Sequence, residues 1–290
     1  MTAVKTAAID GVSINYDVVG RDGPWVSYMG GGRSDLEAAR PLATLLADAG
    51  YRVLIHDRRN TGASDFVFDA SVSEQVSWAD DLYRLLVYLD ALPVFVGGAS
   101  AGCRVALLLA ARHPESVSGV FVSRPSGGEF AARYLAESNY DEWLDAADRG
   151  GMAGVCELPS VSDSIRRNPT IRARLLTMDS REFVGVVDSW RRYFSENGHL
   201  TLIGLTDEEL SQIRPPVCII AGQDDLHPRS HSERFHQLVP DSSIHYLYSE
   251  EDVEALRAGF PGPYATIQEQ PEELASVYLE FLDRLSGRQA

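Results

Sequence analysis

The stretch that decides the fold reads Pro-Val-Phe-Val-Gly-Gly-Ala-Ser-Ala-Gly-Cys-Arg-Val-Ala-Leu-Leu-Leu-Ala-Ala-Arg, from Pro93 to Arg112. Its first apolar residues, Val94 to Val96, are β-branched or aromatic, which is typical of a strand buried on both faces. A glycine-rich turn follows, and after it comes a helix-forming stretch with almost no polar residues. The pattern predicts a buried strand, a tight turn and a buried helix.

The turn contains Gly98-Ala99-Ser100-Ala101-Gly102, which fits the spacing G-x-S-x-G. A serine on such a turn needs small neighbours two residues either side, because the strand and helix backbones pass very close there. It also lies at a helix N-terminus, whose free N–H groups favour developing negative charge. The spacing therefore predicts a nucleophilic Ser100.

Length and composition are typical of a globular protein with one α/β domain and an insertion. The chain has 290 residues, of which 44% are hydrophobic and 23% are charged. The net charge of −16 argues against nucleic acid or an anionic membrane as a partner, because both favour a basic surface. We find no apolar run of membrane-spanning length and no signal-peptide core, so we expect a cytoplasmic protein.

The three cysteines, Cys103, Cys156 and Cys218, are too few and too scattered for a disulfide framework or a zinc site. Each lies in an apolar or helical context, so we expect buried free thiols. No motif indicates a metal, a nucleotide or a flavin. We therefore expect a protein without metal or cofactor that acts on a small-molecule substrate. Its assembly as a homodimer stays open.

Short apolar strands alternate with amphipathic helices over most of the chain. This alternation predicts an α/β fold with a mostly parallel, doubly wound sheet. It stops at 127–213, where several helical stretches are rich in aromatic residues. We expect a helical cap at 127–213, inserted into a core domain formed by 1–126 and 214–290.

Four motifs in the chain resemble those of the α/β-hydrolase superfamily. Gly98–Gly102 is similar to its nucleophile motif, and Asp57–Asp65 resembles its D-x-R-x-x-G-x-S loop. Gly30–Gly32 lies where the family keeps its oxyanion-hole loop. Gly222–Pro228 fits G-x-x-D-x-x-P and is similar to the loop that carries the catalytic acid. The resemblance covers nearly all residues outside the insertion and implies the α/β-hydrolase fold.

The resemblance implies a role for each matching residue. Ser100 would be the nucleophile, and Asp225 would be the acid that orients a histidine, with Asp224 next to it as the competing carboxylate. The backbone N–H groups of Gly31 and Ala101 would stabilise an oxyanion, as acyl transfer requires.

The chain departs from the family at the position of the base. The family places its histidine shortly before a proline-led last helix, and here the corresponding loop, 250–270, contains none. Tyr264 or Ala265 stands at the expected position. Of the seven histidines, only His227 belongs to a loop at the active end of the sheet. It is therefore the candidate base, and an exposed loop histidine is the competing interpretation.

Two tryptophans and two arginines are candidates for substrate binding. Trp143 and Trp190 belong to the insertion that would roof the site, which favours a ring-containing or long-chain substrate. Arg33 and Arg124 directly follow strand ends, where a guanidinium can hold a carboxylate or an enolate. The alternative for each arginine is a loop cap or an ion pair with an acid.

Three functions stay open at this level. The first is a serine hydrolase of a small apolar or aromatic acyl substrate, such as an ester or lactone, with an atypical or incomplete triad. The second is a non-hydrolytic enzyme on the same fold, such as a lyase, a decarboxylase or an enzyme of carbon–carbon bond cleavage. The third is a catalytically inactive ligand-binding protein. The fold does not decide among them.

Overall fold

The computed structural model describes residues 4–258 and 269–288. Its strands are β1 (Lys5–Ile9), β2 (Val12–Val19), β3 (Trp25–Met29), β4 (Arg52–His56), β5 (Val94–Ala99), β6 (Val117–Ser123), β7 (Val217–Ile220) and β8 (Ser242–His245). They form one eight-stranded sheet in the order β1-β2-β4-β3-β5-β6-β7-β8. The strand β5 of the deciding stretch therefore lies at the centre of the sheet.

The sheet is mostly parallel. The strands β1 and β2 form a hairpin, β2 pairs antiparallel with β4, and every other neighbouring pair is parallel. The predicted α/β fold with a mostly parallel sheet is thus confirmed. Because parallel strands end at the same edge, the loops after β3, β5, β6 and β7 meet there, and this is where such folds place their sites.

The helices connect these strands. They are α1 (Arg40–Asp48), α2 (Glu74–Tyr88), α3 (Ala101–Arg112), α4 (Glu129–Cys156), α5 (Pro159–Arg167), α6 (Thr170–Thr177), α7 (Ser180–Glu196), α8 (Asp207–Ser211), α9 (Arg229–Leu238), α10 (Glu250–Ala258) and α11 (Pro271–Ser286). The longest of the helical stretches predicted within 127–213 is α4, which is interrupted at Gly151. No described helix is both long enough and apolar enough to cross a membrane.

Two apolar layers cover the two faces of the sheet. Side chains of α2 and α3 pack on one face, where they meet Val94 and Val96 of β5. Side chains of α1 and α11 pack on the other, where they meet Phe95. Successive residues of a strand point to opposite faces, so one continuous apolar run serves both layers. The reading of Val94–Val96 as a strand buried on both faces is confirmed.

The helices α4 to α7, which we call the helical insertion, have an apolar core of their own. Trp143, Phe183 and Trp190 lie in it, together with Phe66 from the loop after β4. The predicted cap at 127–213 ends later than this core does. Residues 205–213 instead pack with the sheet, since Leu210 and Ile213 join the layer formed by α2 and α3.

The turn around Ser100 leaves no room for side chains on either neighbouring glycine. A Cβ atom on Gly98 would lie 2.7 Å from the Cα of Gly102, and one on Gly102 would lie 3.0 Å from the carbonyl carbon of Met29. The expected close passage of strand and helix is therefore present. Cys103 fills the space beneath the turn and, like the two other cysteines, it is a buried free thiol.

We predict that Gly98→Ala destabilises the protein by about 1–3 kcal/mol, the usual cost of forcing extra atoms into a packed interior. Gly185→Ala is the matched control, because a Cβ there meets nothing within 4 Å. In mid-helix that change should raise the free energy of unfolding by up to about 1 kcal/mol. Denaturant unfolding followed by circular dichroism measures both, and equal effects would contradict the crowding argument.

Candidate active site

Ser100 occupies a strained backbone conformation between β5 and α3. Its φ and ψ angles are 51° and −107°, outside the regions that most non-glycine residues adopt. The backbone holds it there, because the N–H of Ser100 donates to the carbonyl of Ser123 at 3.0 Å and its carbonyl accepts from Cys103 at 3.0 Å. The strain directs the hydroxyl away from the strand, towards the loop that follows β7.

The hydroxyl of Ser100 meets an imidazole. The Nε2 atom of His227 lies 2.9 Å from Ser100 Oγ, and its Nδ1 atom lies 2.8 Å from Asp224 Oδ1. His227 is only 4% exposed and Asp224 is 1% exposed. The three side chains thus form one buried hydrogen-bonded chain from hydroxyl to carboxylate.

One short loop, Gly222–His227, supplies both the imidazole and the carboxylate. Asp224 Oδ1 accepts the backbone N–H groups of Leu226 and His227, each at 2.9 Å, as well as the contact with the ring. Gly222 allows the loop to close, because a Cβ there would lie 2.9 Å from the carbonyl carbon of His227. Aspartates commonly accept hydrogen bonds from the backbone of the turn that they begin. Here the same turn also fixes the imidazole ring of His227.

The sequence predicts Asp225 as the acid, but the carboxylate that contacts His227 belongs to Asp224. The Asp225 side chain is 42% exposed and forms an ion pair with Arg257 at 3.2 Å. Its carboxylate points out of the turn, because Asp224 makes the hydrogen bonds that close the turn. The sequence signal that would have indicated Asp224 is the spacing Asp-x-x-His. With this spacing, one carboxylate reaches both the N–H groups of the turn and the imidazole ring.

The competing interpretation of His227 as an exposed loop histidine is wrong, because the ring is buried against Ser100. Tyr264 and Ala265, where the family resemblance places a histidine, lie outside the described residues. The site therefore has a histidine in contact with the serine, and that histidine comes from the loop of the acid.

Burial lowers the pKa of His227 from its ordinary value of 6.5, and the positive charges of Arg124 and Arg104 lower it further. The carboxylate of Asp224 acts in the opposite direction, through its hydrogen bond and its charge. The lowered pKa leaves the ring neutral at pH 7, so Nε2 can accept a proton. The hydrogen bond from Nδ1 to Asp224 favours the tautomer in which Nε2 is the acceptor.

Gly31 and Ala101 both adjoin Ser100. A Cβ built on Gly31 would lie 3.3 Å from Ser100 Cβ and 4.0 Å from Ser100 Oγ, so the glycine loop passes directly over the serine. Ala101 is the first residue of α3, where backbone N–H groups have no partner within the helix. The structure thus brings both residues to the place where the sequence predicted them.

A cavity of about 550 Å³ opens beside Ser100. Its described walls are the glycine loop Gly30–Gly32, the start of α11 at Pro271, and the polar side chains of Arg33, Arg124 and Glu269. We expected the cavity beneath the insertion. Among the residues that the structure describes, it lies instead between the glycine loop and α11.

The two arginines of the expected cationic edge each have an acidic partner. Arg33 donates to both oxygens of Glu74, at 3.0 and 2.6 Å, and its guanidinium lies 4.5 Å from the ring centre of Trp143. Arg124 forms an ion pair with Glu269 at 2.8 Å. The alternative of ion pairs with acids therefore fits both arginines, because an unpaired guanidinium at these buried positions would lose its hydration without compensation.

The two tryptophans expected in the pocket belong to the insertion's core. Trp190 is 2% exposed, and its Nε1–H donates to the carbonyls of Asp69 and Val72. Trp143 borders a different cavity, of about 150 Å³, that Ser100 does not line. The insertion needs large apolar side chains for its own stability, which explains why its aromatic content does not report on the pocket.

Comparisons with known proteins agree with this architecture. A family described as "alpha/beta hydrolase fold" matches residues 30–151. An esterase from Thermogutta terrifontis has a TM-score of 0.64 at 17% identity, covering 98% of this chain and 99% of its own. The fold of this chain is therefore that of the α/β-hydrolases. The enol-lactonase from Burkholderia xenovorans shares the fold too, with a TM-score of 0.61 at 18% identity over 96% of this chain and 99% of its own.

Part of the chain is also similar to a curated protein, the uncharacterized hydrolase YraK from Bacillus subtilis. The two are 32% identical over 120 residues, which is 41% of this chain and 44% of the relative. The matched stretch thus spans less than half of the relative's length. At the identities found, the solved structures establish the fold of this chain and leave its substrate open.

We predict that Asp224→Asn lowers kcat/KM by about 10³–10⁴, because loss of the carboxylate favours the wrong imidazole tautomer. Asp225→Asn is the matched control: it makes the same chemical change one residue away, at an exposed ion pair. It should change kcat/KM by less than about threefold, since surface pairs contribute little. Steady-state kinetics on a chromogenic ester measures both, and the reverse order would restore Asp225 as the acid.

We predict that the acid limb of the kcat/KM profile lies below pH 6.5, the ordinary pKa of histidine, because the pKa of His227 is lowered. The base is lost only when the pH falls through this lowered pKa, so activity should persist into mildly acidic solution. A pH–rate profile at constant ionic strength measures the limb. A limb above pH 6.5 would contradict the assigned environment of the ring.

Proposed function

We propose that the protein is a serine hydrolase that cleaves a small acyl substrate, an ester or a lactone. The single observation that carries the proposal is the buried chain from Ser100 through His227 to Asp224, with contacts of 2.9 and 2.8 Å. A hydroxyl, a neutral imidazole and a carboxylate in this order form the arrangement that activates serine at neutral pH.

Each step of acyl transfer has a group in place. Ser100 Oγ attacks the acyl carbon while His227 Nε2 accepts its proton, and the imidazolium then protonates the leaving oxygen. We assign stabilisation of the oxyanion of the tetrahedral intermediate to the backbone N–H groups of Gly31 and Ala101, because both residues adjoin Ser100. Water activated by the same imidazole releases the acyl group from Ser100 and restores the hydroxyl.

Asp224 acts throughout without exchanging a proton. Its Oδ1 holds the ring through Nδ1, and its negative charge stabilises the imidazolium that forms when Ser100 attacks. The same oxygen is fixed by two backbone N–H groups, so it needs no reorganisation during the reaction. This support matches the role of an orienting acid.

The comparisons support a hydrolytic enzyme, because the curated relative is named a hydrolase and the structures of an esterase and an enol-lactonase share the fold. The non-hydrolytic and inactive alternatives rested on a missing base. The contact of His227 with Ser100 therefore favours the hydrolytic proposal over both.

The test is labelling by a fluorophosphonate, which reacts with activated serines. We predict labelling of the native protein and none of Ser100→Ala or His227→Ala. The control is His199→Ala, which removes an exposed imidazole whose one hydrogen bond is to the carbonyl of Glu196. It should label like the native protein.

Turnover gives the second readout of the same test. We expect Ser100→Ala and His227→Ala to lower ester hydrolysis by about 10⁴ or more, because members of a triad act as a unit. If Ser100→Ala hydrolyses esters as fast as the native protein, the proposed mechanism is wrong.

A further inference from the structure

Arg104 lies one helical turn after Ser100 on α3 and is 2% exposed. Its Nη1 donates to Ser126 Oγ at 2.5 Å, and its guanidinium lies 5.3 Å from the ring centre of Phe194. Its Nε–H has no hydrogen-bond partner in the described part of the chain. Cys103, Tyr140 and Tyr193 lie near its charge, and it forms no ion pair with a carboxylate within the described residues.

Three other arginines at the same edge of the sheet have carboxylate partners, whereas Arg58, also 2% exposed, donates to the carbonyl of Gly32. Arg33 is paired with Glu74, Arg59 with Asp81 at 2.6 Å, and Arg124 with Glu269 at 2.8 Å. A buried guanidinium without a counter-charge is costly, because it loses its hydration and gains no ion pair. Such a cost is commonly tolerated where a ligand brings the missing charge.

A small cavity joins Arg104 to Ser100. Its volume is about 10 Å³, and its walls include Ser100, Ala101, Arg104 and Gln75. The Oε1 atom of Gln75 is a second buried polar atom without a partner within residues 4–258 and 269–288. Arg33 also borders this cavity, and its buried Nε–H likewise has no hydrogen-bond partner among the described residues. The unused N–H donors of Arg104 and Arg33 thus border one space next to the nucleophile, whereas the unused oxygen of Gln75 is an acceptor and does not bind an anion.

We propose that Arg104 binds a carboxylate on the acyl part of the substrate, so that the enzyme prefers esters or lactones of dicarboxylic acids. The inference rests on the proposed function of Ser100. The Nε and an Nη atom of a guanidinium match the two oxygens of a carboxylate, which makes this pairing strong and directional.

Ser100 caps α3 and Arg104 lies in its first turn, so a substrate that reaches both groups is short. Monoesters of succinate and glutarate are the first compounds to test. The cavity of about 10 Å³ holds no more than about one water molecule. Entry of the carboxylate therefore requires Leu135 and Asn139 of α4, which border the cavity, to move.

The test compares esters that differ only in charge. Monoethyl succinate and ethyl butyrate have the same chain, with a carboxylate replacing a terminal methyl group. We expect native kcat/KM to be at least about tenfold higher for the monoester of succinate, as one charge-assisted contact allows. Arg104→Gln should reduce this ratio about tenfold or more. Arg112→Gln, the same change at an exposed arginine of α3 paired with Asp80, should leave the ratio unchanged.

A structural effect of the substitution has a different signature. If Arg104→Gln only disturbs packing, both esters lose rate equally and the ratio is preserved, which overturns the carboxylate site and leaves the hydrolase assignment standing. The same conclusion follows if the native enzyme has no preference for the anionic ester. Arg104→Lys keeps the charge and loses the planar fork, so we expect an intermediate ratio from it if Arg104→Gln does not fold.

Binding separates this inference from the proposed function. If no ester is hydrolysed, the hydrolase proposal fails, and calorimetric titration of Ser100→Ala with succinate still tests the site. We expect succinate to bind Ser100→Ala. Adding Arg112→Gln to Ser100→Ala should leave its affinity for succinate unchanged. Adding Arg104→Gln to Ser100→Ala should weaken that affinity at least about tenfold. Absence of binding to Ser100→Ala overturns the carboxylate site.

Discussion

One carboxylate oxygen, Asp224 Oδ1, holds the candidate site together. It accepts two backbone N–H groups of its own turn and the Nδ1–H of His227, all between 2.8 and 2.9 Å. A buried carboxylate loses its hydration, and three donors on one oxygen compensate for that loss. The same bonds that shape the turn thus point the imidazole at Ser100, so acid and base move as one rigid unit. A site built in this way needs no residue from the loop before α11 to connect Ser100 with its base.

The sequence predicts the frame of this protein well, because the frame depends on strong and local signals. The glycines around Ser100 are required by atoms that would otherwise collide, and Pro271 opens the last helix with Glu273 capping it. The choice between Asp224 and Asp225 does not depend on such local signals. Both are aspartates in one turn, and only the direction of the hydrogen bonds, a property of the folded loop, decides which one faces the ring.

The arginines near the site show even more clearly that the sequence does not reveal which groups meet in the folded protein. Arg33 and Arg124 were chosen because they follow strand ends, and that position is correct for both. Their partners are distant in sequence: Glu74 begins α2, and Glu269 precedes α11. A pattern along the chain reports where a charge lies and not which charge it meets. For the same reason, nothing in the apolar run of α3 singled out Arg104, whose lack of an acidic partner in the described structure appears only once the neighbours are known.

The ion pair of Arg33 and Glu74 has a structural role that accounts for its place beside the nucleophile. Glu74 also accepts from Asn60 at 3.0 Å and from the hydroxyl of Tyr140 at 3.0 Å. Tyr140 belongs to the insertion, and Arg33 directly follows the glycines that pass over Ser100. One buried carboxylate therefore connects the glycine loop, the loop after β4, α2 and α4. Buried ion pairs add little net stability, yet they disfavour arrangements that leave one partner unpaired. Here the network ties the glycine loop next to Ser100 to α2 and α4, and Arg104, which has no acidic partner in the described structure, is the group that we propose to bind the charge of a substrate.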